Sequence, residues 1–146
     1  MRYAVLFFFL ALAGCEKTPD PNDYGLRDLT LPGGHVMKVE AKISDSDLRL
    51  GMTYRTSLAP DHGMLFVHSK SDNYPVWMYH VMIPLDIIWI DADHRVVEMV
   101  LNAQPCKLTP DKCPQYMSAR PAHYVLELAG GTAKKYNLGI GQQVNW

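Results

Sequence analysis

The sequence predicts a mainly β domain, a compact β-sandwich or flattened barrel that carries two short helices, α+β in a looser classification. Three observations lead there. Apolar residues recur in short runs with a two-residue period or none, turn-forming Gly, Pro, Asn and Asp punctuate them closely, and only two brief segments carry helical signals. With 146 residues, the chain has room for one domain and a tether once its amino-terminal segment is set aside.

That segment is the first element. Behind Met1 and Arg2, an apolar stretch runs to Ala13 with Tyr3 as its only polar side chain. It has the character of a signal-peptide core. As a helix it would cover about 15 Å, half of a hydrocarbon layer of roughly 30 Å, which is too short for a permanent span. It ends in Leu12-Ala13-Gly14-Cys15, which resembles the bacterial lipobox. The resemblance implies cleavage before Cys15 and acylation of that cysteine, and two or more acyl chains anchor a protein stably where one does not. The alternative is an ordinary secretory leader with an incidental cysteine. Glu16 rather than Asp follows the cysteine, which in similar lipoproteins favours sorting to the periplasmic face of the outer membrane. Residues 1–14 therefore read as leader and 15–28 as acylated cysteine and flexible tether, the latter rich in Pro and Asp. The single domain is expected over 29–146.

Formal charge is −1, near −2 once Arg2 leaves with the leader, so no basic surplus exists to hold nucleic acid. The apolar content suffices for a real core.

Within the domain, Pro32-Gly33-Gly34 turns into an alternating strand whose inward face is Met37, Val39, Ala41 and Ile43. Ser44 then stands three residues before Asp47, a capping-box-like arrangement that starts a short helix stopped by Gly51. HGMLFVH, residues 62–68, reads as a strand and SKSDNYP as a loop. Residues Trp77 to Met82 alternate, and LDIIWID after Pro84 places Ile88 and Ile90 on one face and Leu85, Ile87 and Trp89 on the other, a strand buried on both sides. A hairpin at Asp91-Ala92-Asp93-His94 leads into RVVEMVL. Tyr124 to Leu128 forms another strand, AKKYN a second helix after Gly130-Gly131, and QQVNW closes the sheet.

Three cysteines are present. With Cys15 assigned to the lipobox, Cys106 and Cys113 remain as a pair that reads as a disulfide in an oxidising envelope, with a two-thiol metal site or a redox pair as rivals.

Taken in order, GMTYR at Gly51 to Arg55, HGMLF at His62 to Phe66, WMYHVMIPLDIIWID at Trp77 to Asp91 and the segment from Ala119 to Val144 resemble the family called domain of unknown function 192. The resemblance spans residues 36 to 144. It implies a small, mainly β, often exported domain without an established activity. Two departures stand out: the family's Lys-Asn-Thr after Trp-Met is Tyr79-His80-Val81 here, and its late Gly-Asp is Gly141-Gln142. The segment bearing Cys106 and Cys113 resembles the cysteine-bearing loop of exported relatives, which supports the disulfide.

Candidate functional residues follow. Asp86 lies within IPLDIIWI, where a buried carboxylate needs a partner; Arg55, Arg120 and His80 are the candidates. The structural alternative is a carboxylate capping backbone amides. The functional one is a ligand pocket formed by Arg55, Trp77, His80, Asp86 and Arg120. On a strand, Met78, His80 and Met82 would share a face and offer ligands that select copper, although methionine there is more commonly core filler. Asp86 and His80 are also the acid and base a hydrolase would use, but no Gly-x-Ser-x-Gly elbow, HExxH or phosphate loop is present. The expectation is thus a lipid-anchored envelope protein that binds a small molecule, a glycan or another envelope protein, without a cofactor or catalysis.

Overall fold

The computed structural model describes residues 25–146. The leader, Cys15 and most of the tether lie outside the described residues. Eight strands and two short α-helices follow in the order β1 (Leu26–Thr30), β2 (Val36–Lys42), α1 (Asp45–Leu50), β3 (His62–Asp72), β4 (Val76–Trp77), β5 (Leu85–Ile90), β6 (Val96–Ala103), β7 (Gln115–Tyr116), β8 (Ala122–Ala129) and α2 (Thr132–Lys135). Six form one sheet in the order β1-β2-β3-β8-β5-β6, and β4 pairs with β7 in a second, smaller sheet. The molecule is mainly β, a flattened sandwich, and its main sheet is not closed into a barrel. Every pairing in that sheet is antiparallel except β2 with β3, whose parallel register needs a crossover, and α1 lies in it.

The main sheet is buried on both faces because its central strands β5 and β8 carry apolar residues on both faces, with few polar exceptions. All six residues of β5 are buried. Ile88 and Ile90 join Val39, Leu65, Leu126, Leu128 and Val144 in one core, while Leu85, Ile87 and Trp89 join Met64, Phe66, Met78 and Val125 in the other. The facing predicted for this strand is the one observed.

Helix α1 begins as its sequence dictates. Ser44 Oγ accepts from the Asp47 backbone N–H at 3.2 Å, and Gly51, at φ +47°, stops the helix. The turn between β5 and β6 is pinned by Asp91, whose carboxylate accepts from the backbone N–H groups of Asp93 and Arg95.

Several expectations need correction. Residues 26–28, read as tether, belong to β1 and pair with β2. β3 runs on to Asp72, into the first half of the expected loop, by accommodating a register shift after Val67. Ile43 is 68% exposed, because β2 ends at Lys42 and the chain turns toward the Ser44 cap; the extra buried position on β2 is Glu40. Residues 77–82 do not form a continuous strand: β4 ends at Trp77 and His80 adopts a left-handed φ of +58°. The carboxy-terminal segment forms isolated bridges, Thr30 with Asn145 and Arg95 with Gln143, reaching from the edge strand β1 to the start of β6 without becoming a strand.

Candidate functional site

The residues predicted to form one pocket are dispersed. Asp86 is fully buried, on the core face that α2 covers. One of its oxygens accepts from the Asn102 N–H at 2.8 Å and the Gly131 N–H at 3.1 Å, and the other accepts from the Ala133 N–H at 2.8 Å. It thus supplies from β5 the acceptor that the start of α2 lacks locally, since Gly131 has no side chain to cap it. Gly130 permits this approach: a Cβ there would stand 2.7 Å from Asn102 Oδ1 and 3.0 Å from Pro84 Cβ. The cationic partners expected for Asp86 are replaced by backbone amides, and the residue is no pocket floor.

Arg55 instead holds Glu40 through a two-pronged contact, Nη1 to Oε1 at 2.5 Å and Nη2 to Oε2 at 2.7 Å, with Lys42 Nζ adding a third contact at 2.9 Å. Burial alone would raise the Glu40 carboxyl, but the hydrogen bonds and charges of Arg55 and Lys42 outweigh it and hold the group below the ordinary carboxylate value. Arg120 is exposed, beside the buried Ser118 hydroxyl that accepts from its backbone N–H. The copper set also comes apart. Met78 is fully buried in the core and Met82 is 53% exposed, because the left-handed turn at His80 destroys the strand alternation that would align them. Among the described residues, no three His, Cys, Asp or Glu side chains are placed to share a metal ion.

Cys106 and Cys113 are joined, with sulfurs 2.07 Å apart. The Cys106 N–H donates to the Met78 carbonyl at 3.0 Å, so the disulfide loop supports the irregular 77–82 segment. That segment in turn is bridged to the residues after α1 by Thr53 with Val81, and by the Tyr54 N–H donating to the His80 carbonyl at 2.9 Å.

These bridged segments roof a cavity of about 430 Å³ on the β3-β8 face. Its walls are mainly apolar, with Phe66 and Val125 below, Leu50 and Met52 from the α1 side, and Trp77 and Val81 from the other. Trp77 is thus the one residue of the predicted pocket that lines it. Two ionisable side chains from the sheet reach it, His68 of β3 and Glu127 of β8. His68 stacks on Tyr74 with ring centroids 3.4 Å apart, and the Tyr74 carbonyl accepts from Trp89 Nε1 at 2.9 Å. Burial lowers the His68 pKa, with the nearby His123 adding to the effect, so the ring is neutral at pH 7.

Glu127 is the residue that sequence reasoning missed. It is 5% exposed, stands opposite Met64 and Ile87 in the register of the neighbouring strands, and makes no hydrogen bond or ion pair among the described residues. Burial pushes its carboxyl up to about 8. The signal was in YVLELA: a carboxylate within an apolar strand, the same reasoning that singled out Asp86 in IPLDIIWI.

A second cavity of about 460 Å³ lies beyond Val81, against the disulfide, lined by Tyr79, His80, Met82, Lys107 and Leu108. It holds His80 but no fully buried ionisable group. Between the cavities stands an aromatic ridge, with Trp77 and Tyr79 centroids 5.5 Å apart and Tyr54 edge-on to His80 at 5.0 Å.

The fold and this paired-cavity face define a small β domain of a recognisable class. The chain belongs to the DUF192 family, described as "Uncharacterized ACR", whose model matches residues 29–146. Among solved structures it is similar to a protein of unknown function from Novosphingobium aromaticivorans DSM 12444, at 31% identity and TM-score 0.75 over 83% of this chain and 85% of that one. It is similar also to a Sinorhizobium meliloti 1021 protein described as a candidate transcription regulator, at 31% identity and TM-score 0.72 over 81% and 89% of the two chains. No curated protein matches it.

Proposed function

We propose that the chain is a lipid-anchored cell-envelope protein whose domain takes up a small ligand in the Glu127 cavity without transforming it. The observation that carries the binding reading is the carboxyl of Glu127, without a partner among the described residues, at the floor of a mainly apolar cavity. The Glu127 oxygens have no protein donor among those residues and keep access to the cavity, so a ligand donor seated there would meet an acceptor that the fold leaves open. The Leu12 to Cys15 sequence supports the anchor, and the Cys106–Cys113 disulfide fits an oxidising compartment. The hydrolase alternative loses support because Asp86 is spent on amides on the far face of the sheet from His80's cavity.

Protein-observed NMR of the full-length chain in detergent micelles, titrated with a small-fragment set, tests the binding reading. Saturable shifts clustered at Phe66, Trp77 and Val125 are expected; scattered, unsaturable shifts would sink it. Labelled palmitate fed to producing cells tests the anchor: it is expected in the wild-type chain and absent from Cys15→Ser. An unlabelled wild type would return the leader to an ordinary secretory signal.

A further inference from the structure

We propose that the Glu127 cavity selects a hydrophobic organic amine, seating its apolar body against Phe66, Val125 and Trp77 and its ammonium group on the Glu127 carboxylate. The proposal rests on the binding reading above and names its ligand class.

The cavity offers little that a sugar or an anion needs. Besides Glu127, the polar side chains lining it are Arg49, Thr53 and His68, and Arg49 is exposed at the mouth, where water screens it. A glycan would bring many hydroxyls to walls that are largely apolar, and each unpaired one would cost binding energy. An anion would meet a carboxyl at the floor. An amine with an apolar body matches all three elements: aliphatic walls, aromatic faces that attract a cation, and one carboxyl without a partner. The strand beyond Met64 shows what a paired carboxyl looks like on this face, since Glu40 is already engaged by Arg55 and Lys42 and is closed to a ligand.

The proton balance fixes the sign of the pH dependence. Below pH 8 the free carboxyl of Glu127 is protonated, and an alkylamine carries its charge up to about pH 10. Forming the ion pair therefore expels the Glu127 proton to solvent, and the ammonium keeps its own. Of the other ionisable groups facing the cavity, Arg49 keeps its charge throughout, and His68, held below its ordinary value by burial, is neutral from pH 7 upward, so the slope between pH 7 and 8 belongs to Glu127. Amine affinity must rise with pH up to about 8 and then level. A neutral ligand that accepts a hydrogen bond from the protonated acid would behave oppositely.

The test uses phenethylamine and its uncharged analogue phenethyl alcohol, titrated into the full-length chain in micelles, with empty micelles as the blank. The expected result is that phenethylamine affinity rises about tenfold per pH unit between pH 5.5 and 8. About one proton should be released per amine at pH 6.5, read by calorimetry in buffers of different ionisation enthalpy. Glu127→Gln should lose both the slope and the preference for the amine. Equal affinity for the two probes, or amine affinity that falls with pH, would overturn the assignment, and the wild-type slope decides the matter even where the variant folds poorly. If the alcohol alone shifts the resonances of Phe66, Trp77 and Val125, the amine assignment fails while the cavity remains a binding site. If neither probe does, both readings fail.

Discussion

Asp86 and Glu127 sit on adjacent antiparallel strands, Asp86 opposite Leu128 and Glu127 opposite Ile87, at nearly the same depth. Asp86 points to the face covered by α2, where three backbone N–H groups converge on it; Glu127 points to the face roofed by α1 and residues 74–81, where none does. Both are carboxyls in apolar strands, and only the covering element tells them apart. A helix start supplies unsatisfied donors, so it absorbs a buried carboxylate into the framework. A roof of side chains supplies none, and the carboxyl stays available. Glu40 is a third case, settled by cations instead of amides.

The contrast can be broken at either end. Asp86→Ala is expected to be the most damaging change, about 3–5 kcal/mol by urea denaturation, because three buried or half-buried N–H groups lose their acceptor at once. A loss below about 1 kcal/mol would mean that the α2 start finds other partners and that Asp86 is not structural. Glu127→Gln should act in the opposite direction and only with pH. The folded-state pKa of Glu127 is raised, so its contribution is fully present below the unfolded value of 4.5 and is lost as pH rises toward about 8. Wild-type stability should therefore fall by about 1.4 kcal/mol per pH unit across that window relative to the variant. Parallel stability curves for the two proteins would show that Glu127 is not desolvated. The smallest effect is expected of Arg55→Ala, about 1 kcal/mol, since Arg55 is partly exposed and Lys42 remains on Glu40. The Glu40 carboxyl should rise in that variant, moving it toward the behaviour of Glu127; an unchanged titration by NMR would show that Arg55 does not hold it down.

How much was legible beforehand follows the same physics. Local signals survived into the structure: the Ser44 cap, the Asp91 turn and the two-sided burial of Leu85 to Ile90 each depend on residues close in sequence. The disposition of the candidate site did not, because it depends on which element covers which face. The periodicity of residues 77–82 gave no hint of the left-handed turn at His80, which separates Met78 from Met82. Nor did composition reveal that Arg55 is occupied by Glu40, a residue that alternation along β2 placed toward solvent. Glu127 was within reach, since its apolar flanks are as plain as those of Asp86.

The carboxy-terminal segment carries one further consequence, for timing. Asn145 exchanges backbone hydrogen bonds with Thr30 at the end of β1, and Val144, wholly buried, donates to His94 just before β6. Among the described residues, the two outer strands of the main sheet are thus linked by a segment that is made after all eight strands. Until it emerges, a chain threaded out amino terminus first keeps both sheet edges and part of a core open to other chains. The domain cannot complete itself until Val144 and Asn145 have emerged, and the interval before they do is when a holding chaperone would matter most.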